Sequence, residues 1–123
     1  MNVIIVEDSK IIRDAFKALL MEYPEIIIVD TDDISVAFHA AQTVQTDYFI
    51  LNIDMPKGSG LKLLKNIKNN NLGGKVIMLT YHSDNDYLKL AKHLGADYFF
   101  DKYTEFDNVI DLLTANLPVT VTY

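Results

Sequence analysis

Glu7 and Asp8, Asn52 and Asp54, Thr80, and Lys102 stand at four separate points of this chain, and each point follows a short apolar run. Carboxylates, a hydroxyl and an ammonium brought to one edge are the inventory of a site for a phosphoryl group or a hard divalent cation. Carboxylate oxygens ligate the cation, and the hydroxyl and ammonium neutralise an oxyanion. The stretch from Phe49 to Gly60 is the most pointed of these. An apolar run ends in Asn52, passes through Ile53 and Asp54 into a Met55-Pro56 turn, and reaches Gly60 ahead of a helical stretch.

The elements that must position these residues are legible in the hydrophobic pattern. The runs Val3–Val6, Ile26–Val29, Tyr48–Leu51, Val76–Leu79 and Tyr98–Phe100 are β-branched or aromatic and continuous. Such runs predict strands of a parallel sheet covered on both faces. Between them lie stripes of helical period: Ile12, Phe16, Leu19 and Tyr23; Ala37, Ala40, Ala41 and Val44; Leu61 and Leu64 with Leu63 and Ile67; Tyr87, Leu90, Ala91 and Leu94; Phe106, Val109, Ile110, Leu113 and Leu117. Ser9 and Ser59 are placed to cap the first and third helices, and Ser83, Asp84 or Asp86 to begin the fourth. Pro24 and Pro118 are expected to stop the first and fifth, and Gly95 follows the fourth. The order βαβαβαβαβα predicts an α/β fold, a doubly wound five-stranded parallel sheet with right-handed crossovers and helices on both faces. Ligands of such sheets bind outside the carboxyl ends of the strands, where the polar residues fall.

Composition narrows the function classes. A chain of 123 residues, half of them hydrophobic, is the size of one domain with ample core. There is no cysteine, hence no disulfide framework, thiolate metal site or cysteine nucleophile. A net charge of −6 argues against direct nucleic-acid binding. No apolar stretch reaches the length of a membrane span, and Met1–Val6 lacks the basic start of a secretory signal, so a soluble, cytoplasmic protein is expected. Residues 1–118 read as one domain and 119–123 as a tail.

Four segments together resemble the receiver (CheY-like) domain of two-component response regulators, over essentially the whole chain. Val6-Glu7-Asp8 resembles the acidic pair after the first strand, and Leu51-Asn52-Ile53-Asp54-Met55-Pro56 with Gly60 the phosphoacceptor segment. Met78-Leu79-Thr80 resembles the fourth-strand hydroxyl, and Gly95–Lys102 the fifth-strand segment with its lysine. The resemblance implies a flavodoxin-like sheet of order 2-1-3-4-5. It implies that Asp8, Glu7 through water and the backbone carbonyl of Asp54 hold Mg²⁺, that Thr80 and Lys102 contact the phosphoryl group, and that Phe99 is the aromatic switch. It also implies a histidine kinase or other signalling partner. Tyr98 and Phe100 flank Phe99, so the fifth strand is expected either to present aromatics outward, as a docking or homodimer face with the fourth and fifth helices, or to pack them against those helices.

The departures from that family matter as much. Asn52 stands where the family carries the phosphorylatable Asp. A carboxamide oxygen is neutral and a poor nucleophile, so no acyl phosphate is expected. One negative charge fewer also predicts weaker Mg²⁺ binding and less repulsion among the carboxylates. The chain is then either a phosphorylation-independent receiver or an Asp-to-Asn variant of an ordinary one. Tyr81 follows Thr80 where a small residue is usual and is expected to crowd the pocket. Tyr103 follows Lys102 where proline is common.

Simpler readings apply elsewhere. His39 and His93 read as helix-surface residues and His82 as a loop residue; the three share no metal-ligand spacing. Asp54, two residues beyond Asn52, is poorly placed as a substitute acceptor. The lysines around the third helix read as a solvated face. A haloacid-dehalogenase-like enzyme would need an Asp nucleophile where Asn52 stands, and a flavin carrier a Ser/Thr/Gly-rich phosphate loop where Glu7-Asp8-Ser9-Lys10 stands. No enzymatic activity is expected.

Overall fold

The computed structural model describes residues 1–53, 55–56, 59–81 and 85–117. Five strands and five helices alternate: β1 (Asn2–Val6), α1 (Lys10–Leu20), β2 (Ile27–Thr31), α2 (Ile34–Thr43), β3 (Tyr48–Asn52), α3 (Gly60–Asn69), β4 (Lys75–Thr80), α4 (Asn85–His93), β5 (Tyr98–Asp101) and α5 (Phe106–Ala115). All pairings are parallel, and the sheet order is β2-β1-β3-β4-β5. The expected fold class and strand order are both present.

Period-two alternation splits the core into two layers. Ile4, Val6, Phe49, Leu51 and Met78 face α2, α3 and α4, meeting Ala37, Leu64, Ile67 and Ala91. Val3, Ile5, Ile50, Ile77 and Leu79 face α1 and α5, meeting Phe16, Leu20, Val109 and Leu113. The rings of Phe16 and Phe106 lie 4.3 Å apart and tie α1 to α5. Burial on both faces holds for β1, β3 and β4. The runs at β2 and β5 are only half covered, because an edge strand has one neighbour; Ile27 is exposed. Tyr98 and Phe100 pack against the α1/α5 layer rather than presenting a free aromatic face.

Both capping serines occupy the positions the sequence predicts for them. Ser9 Oγ accepts from Ile12 N–H at 3.3 Å and Ser59 Oγ from Leu61 N–H at 3.1 Å. The α1 stripe is corrected to Ile12, Phe16 and Leu20: Leu20 is buried and Leu19 half-exposed, because successive four-residue steps from Ile12 reach 20. The helix also ends at Leu20, ahead of Pro24, and α5 ends at Ala115, ahead of Leu117. Asp86 lies in the first turn of α4; Ser83, Asp84, Pro118 and the 119–123 tail lie outside the described residues. Gly95 closes α4 at φ +102°, a conformation that favours glycine, while Ala96 N–H reaches back to Ala91 O at 3.0 Å.

Gly60 fixes the geometry of the acceptor segment. Its N–H donates to Ile53 O at 2.9 Å, and a Cβ at this position would collide with the backbone carbonyl of Asn52. The start of α3 therefore lies directly against the end of β3. Gly60→Ala should destabilise the protein by about 3 kcal/mol, the upper part of the overpacking range, because the obstacle is backbone and cannot rotate away. Urea unfolding measures this, and a loss below about 0.5 kcal/mol would contradict the close approach.

Candidate functional site at the carboxyl ends of the strands

Glu7, Asp8, Asn52 and Lys102 converge at one edge of the sheet, with Thr80 at the adjoining strand end. The Glu7 N–H donates to Thr31 O at 3.0 Å, which carries the first strand's hydrogen-bonding one residue further and sets the Glu7 carboxylate inside the sheet edge. Asp8, the next residue, turns outward and is exposed. Asn52 ends β3 and is 6% exposed, while Thr80 ends β4 half-buried. The Lys102 N–H donates to Thr80 O at 3.0 Å, which brings the lysine beside the end of β4.

One network joins four of these side chains. Lys102 Nζ lies 2.6 Å from Glu7 Oε2, with both side chains 1% exposed. Beyond that ion pair, neither atom has another hydrogen-bond partner among the described residues. Glu7 Oε1 accepts from Ser9 N–H at 3.1 Å. Asn52 Nδ2 donates to Asp8 Oδ1 at 2.7 Å and makes a longer contact of 3.5 Å to Glu7 Oε1. This amide orientation is the one the surroundings select, since the reverse would face a carbonyl oxygen to carboxylate oxygens. Phe99 stands apart from the network. It is half-buried on the α2–α4 side and shares a small hollow of about 110 Å³ with Thr80, Leu88 and Glu105. Asp54 and His82 lie outside the described residues. His39 and His93 are exposed on helices.

Two features went unread in the sequence. Arg13 Nη1 donates to the carbonyls of Glu7 at 2.6 Å and Asp8 at 3.2 Å, and its Nε lies 3.3 Å from Asp30 Oδ2. It clamps the acidic loop to β2. Its signal was an arginine on the first turn of the helix that follows an acidic pair. The second is the partnership of the two unusual tyrosines. Tyr81 and Tyr103 stack with ring centroids 4.4 Å apart and planes at 24°, and Lys102 Nζ lies 4.3 Å from the Tyr81 ring centroid. Tyr81 does crowd the pocket, by lying over its lysine.

The electrostatics separate the two acids. Burial pushes the Glu7 carboxyl above its ordinary range; Lys102 pulls it back, but Asp8 adds to the rise. For Asp8 burial is the largest single influence and also pushes upward. It is outweighed by the side chain of Glu7, its own backbone amide, the charge of Lys102 and the Asn52 amide, so Asp8 ionises below the usual range. The Tyr81 hydroxyl is pushed up to about 12, first by burial and then by Tyr103 and the nearby carboxylates. At neutral pH the edge thus holds an exposed Asp8 carboxylate, a neutral carboxamide and a sealed Glu7–Lys102 pair.

The fold and the chain's family match agree with the resemblance carried by the motifs. The family model described as "Response regulator receiver domain" matches residues 3–114. This chain belongs to the response regulator receiver domain family, the receiver modules of two-component signal transduction. It is 25% identical over 115 residues to the DNA-binding transcriptional activator EvgA of Escherichia coli K12, covering 94% of this chain and 56% of that protein. It thus spans about half the length of the curated relatives it matches. A DNA-binding response regulator of the LuxR family from Staphylococcus aureus superposes with a TM-score of 0.83 at 26% identity, over 93% of this chain and 96% of that one. The chemotaxis protein CheY4 of Vibrio cholerae shares the fold, with a TM-score of 0.83 at 22% identity over 94% and 98% of the two chains.

Cutting the buried pair has a pH signature. Lys102→Met leaves Glu7 buried without its cation, and its raised carboxyl rises further. The variant should lose about 3 kcal/mol at pH 7.5, as for other broken buried pairs. The sign follows from linkage: a folded-state pKa above the unfolded value favours the fold at low pH. The deficit should therefore shrink as pH falls through the folded value toward 4.5, the ordinary carboxyl value. Urea unfolding at pH 7.5 and 5 checks this; a deficit equal at both would count against the ion pair.

Proposed function

We propose that this chain is a receiver that carries its signal without an acyl phosphate at position 52. The observation that supports this is the Asn52 carboxamide, tied as a donor to Asp8 Oδ1 at 2.7 Å. A carboxylate acceptor at that position would repel both acids and attack phosphorus as an anion. An amide does neither: it stitches the acidic loop to the end of β3. In the pocket's proposed roles Thr80 and Lys102 are the oxyanion contacts and Phe99 the switch aromatic.

The pocket suits Mg²⁺ in reduced form. Asp8, exposed and ionised, would hold the cation, with the Asn52 carboxamide turned to offer Oδ1 and Glu7 acting through water; the Asp54 carbonyl lies outside the described residues. Among the described residues no group of three or more histidine, cysteine or acidic side chains is placed for a metal, and Glu7 is already committed to Lys102. A bound cation there would neutralise charge beside an incoming oxyanion. Weak binding is the expectation.

Receiver domains are generally signalling domains without enzymatic activity, and they interact with histidine kinases. Neither the dehalogenase-like nor the flavin reading finds support in the family match. For this chain we infer a kinase or other signalling protein as partner in the cytoplasm, and the α4–β5–α5 side, where Tyr87 and Leu90 are partly exposed, as the face for a second copy. Among the described residues no helix is long and apolar enough to cross a membrane. EvgA is named as DNA-binding. With a net charge of −6, this chain is itself poorly suited to contact a nucleic-acid backbone.

Incubation with acetyl phosphate and Mg²⁺, read by intact mass, should leave the protein unmodified. Asn52→Asp should gain one phosphoryl group and bind Mg²⁺ about tenfold more tightly by calorimetric titration, since hard-cation affinity follows ligand charge. Phosphoryl gain by the parent chain, mapped to this pocket, would overturn the proposal.

A further inference from the structure

We propose that Tyr81 and Tyr103 form a two-ring lid over the Lys102 ammonium, and that this lid sets how readily an anion of phosphoryl size reaches it. The proposal rests on the receiver reading for what the lid guards, but the lid itself follows from the aromatic geometry. Tyr81 leaves the end of β4 one residue after Thr80, and Lys102-Tyr103 leaves the end of β5. The Lys102 N–H bond to Thr80 O, 3.0 Å, laces the two ends together, so both rings emerge on the same side of the pocket.

The two rings are held differently. The Tyr103 backbone is pinned: Asp101 Oδ1 accepts from the N–H groups of Tyr103 at 2.8 Å and Thr104 at 3.0 Å. Asp101 N–H in turn donates to Glu105 Oε1 at 3.0 Å, and Glu105 N–H to Asp101 O at 3.0 Å. Tyr103 is thereby a fixed shelf that stays 76% exposed. A large aromatic left so open gains most of its contact from the Tyr81 ring stacked on it at 4.4 Å. That same Tyr81 ring lies over Lys102 Nζ at 4.3 Å, while Glu7 Oε2 lies 2.6 Å from the same atom. The ammonium is thus enclosed by a carboxylate and an aromatic face. Among the described residues the Tyr81 ring is the aromatic cover over Nζ, so in the proposed opening the Tyr81 side chain swings off the Tyr103 shelf to let an anion meet the ammonium. Each contact is individually modest, so the lid opens transiently rather than sealing the pocket for good.

Amine labelling tests the lid without reference to phosphorylation. The parent chain, Tyr81→Ala, Tyr103→Ala and Tyr81→Phe are treated with a small acylating reagent, acetic anhydride, and the rate at Lys102 is followed by peptide mass against exposed Lys10 in the same molecules. Circular dichroism confirms that each variant is folded. Lys102 should be labelled far more slowly than Lys10 in the parent. It should react about tenfold faster in Tyr81→Ala, where the opening is permanent, and severalfold faster in Tyr103→Ala. Tyr81→Phe, which keeps the ring, should stay near the parent rate. Lys102 labelling at the parent rate in both alanine variants would overturn the lid, and so would opening in Tyr81→Phe as large as in Tyr81→Ala. A second arm compares phosphoryl uptake from acetyl phosphate by Asn52→Asp with and without Tyr81→Ala. Faster uptake in the double variant supports the lid as guard of the site, and an unchanged rate rejects that role. If neither chain takes up phosphate although labelling opens, the phosphoryl-site reading fails while the two-ring cover stands.

Discussion

The ion pair between Lys102 and Glu7 is the constraint on which the arrangement of the site depends. Two charges 2.6 Å apart, each almost wholly removed from water, can persist only while each neutralises the other. The lysine enters from the end of β5 and the glutamate from the end of β1, with β3 and β4 between them. Holding them together draws the loops of the sheet edge into one hollow. The remaining features then follow. Asn52 contributes a neutral donor in the middle, Asp8 is left as the ionised acid facing outward, and Arg13 fastens the acidic loop by its carbonyls. A carboxylate at position 52 would be a third anion competing for Lys102. With an amide there, Glu7 holds the lysine undivided.

The division of the fold into readable and unreadable parts has a physical basis. Element type and order were legible because β1, β3 and β4 are covered on both faces and so read as unbroken apolar runs. Strand ends were less so: β2 runs to Thr31 and β4 begins at Lys75, since edge residues and strand termini need no apolar side chain. The Ser9 and Ser59 caps were legible because the capping bond is local. Leu19 was misassigned because neighbouring leucines at 19 and 20 fit the same stripe, and only the sheet beneath decides between them. Glu7, Asp8, Asn52 and Lys102 were grouped correctly, because strand ends of a parallel sheet share one edge. Which of them bonds to which was not legible. That depends on side-chain reach across strands far apart in sequence, and Arg13 was missed for the same reason.

The family match and the site describe different degrees of constraint. A TM-score of 0.83 at 26% identity shows a backbone that tolerates replacement of most side chains. At the strand ends, the residues at 52, 81 and 103 are the ones expected from the motifs to depart from the family pattern. In sequence those three alterations look unrelated. In space they meet around the Glu7–Lys102 pair: Asn52 Nδ2 lies near Glu7 Oε1, Tyr81 lays its ring over Lys102 Nζ, and Tyr103 stacks on that ring. The changes act in one direction, toward a lysine held inward by its own protein.

The topology gives this pairing a temporal meaning. Glu7 lies near the beginning of the chain, and its partner near the end of the described residues, yet β1 is an inner strand of the sheet. During synthesis the amino-terminal half leaves the ribosome while the compensating cation has yet to be translated. A nascent chain that buried β1 early would strand an acid in hydrocarbon surroundings, whereas one that waited for β5 would not. The final strand to emerge therefore brings the cation that lets Glu7 be buried as an anion; before it, burial of β1 carries that acid in its neutral form.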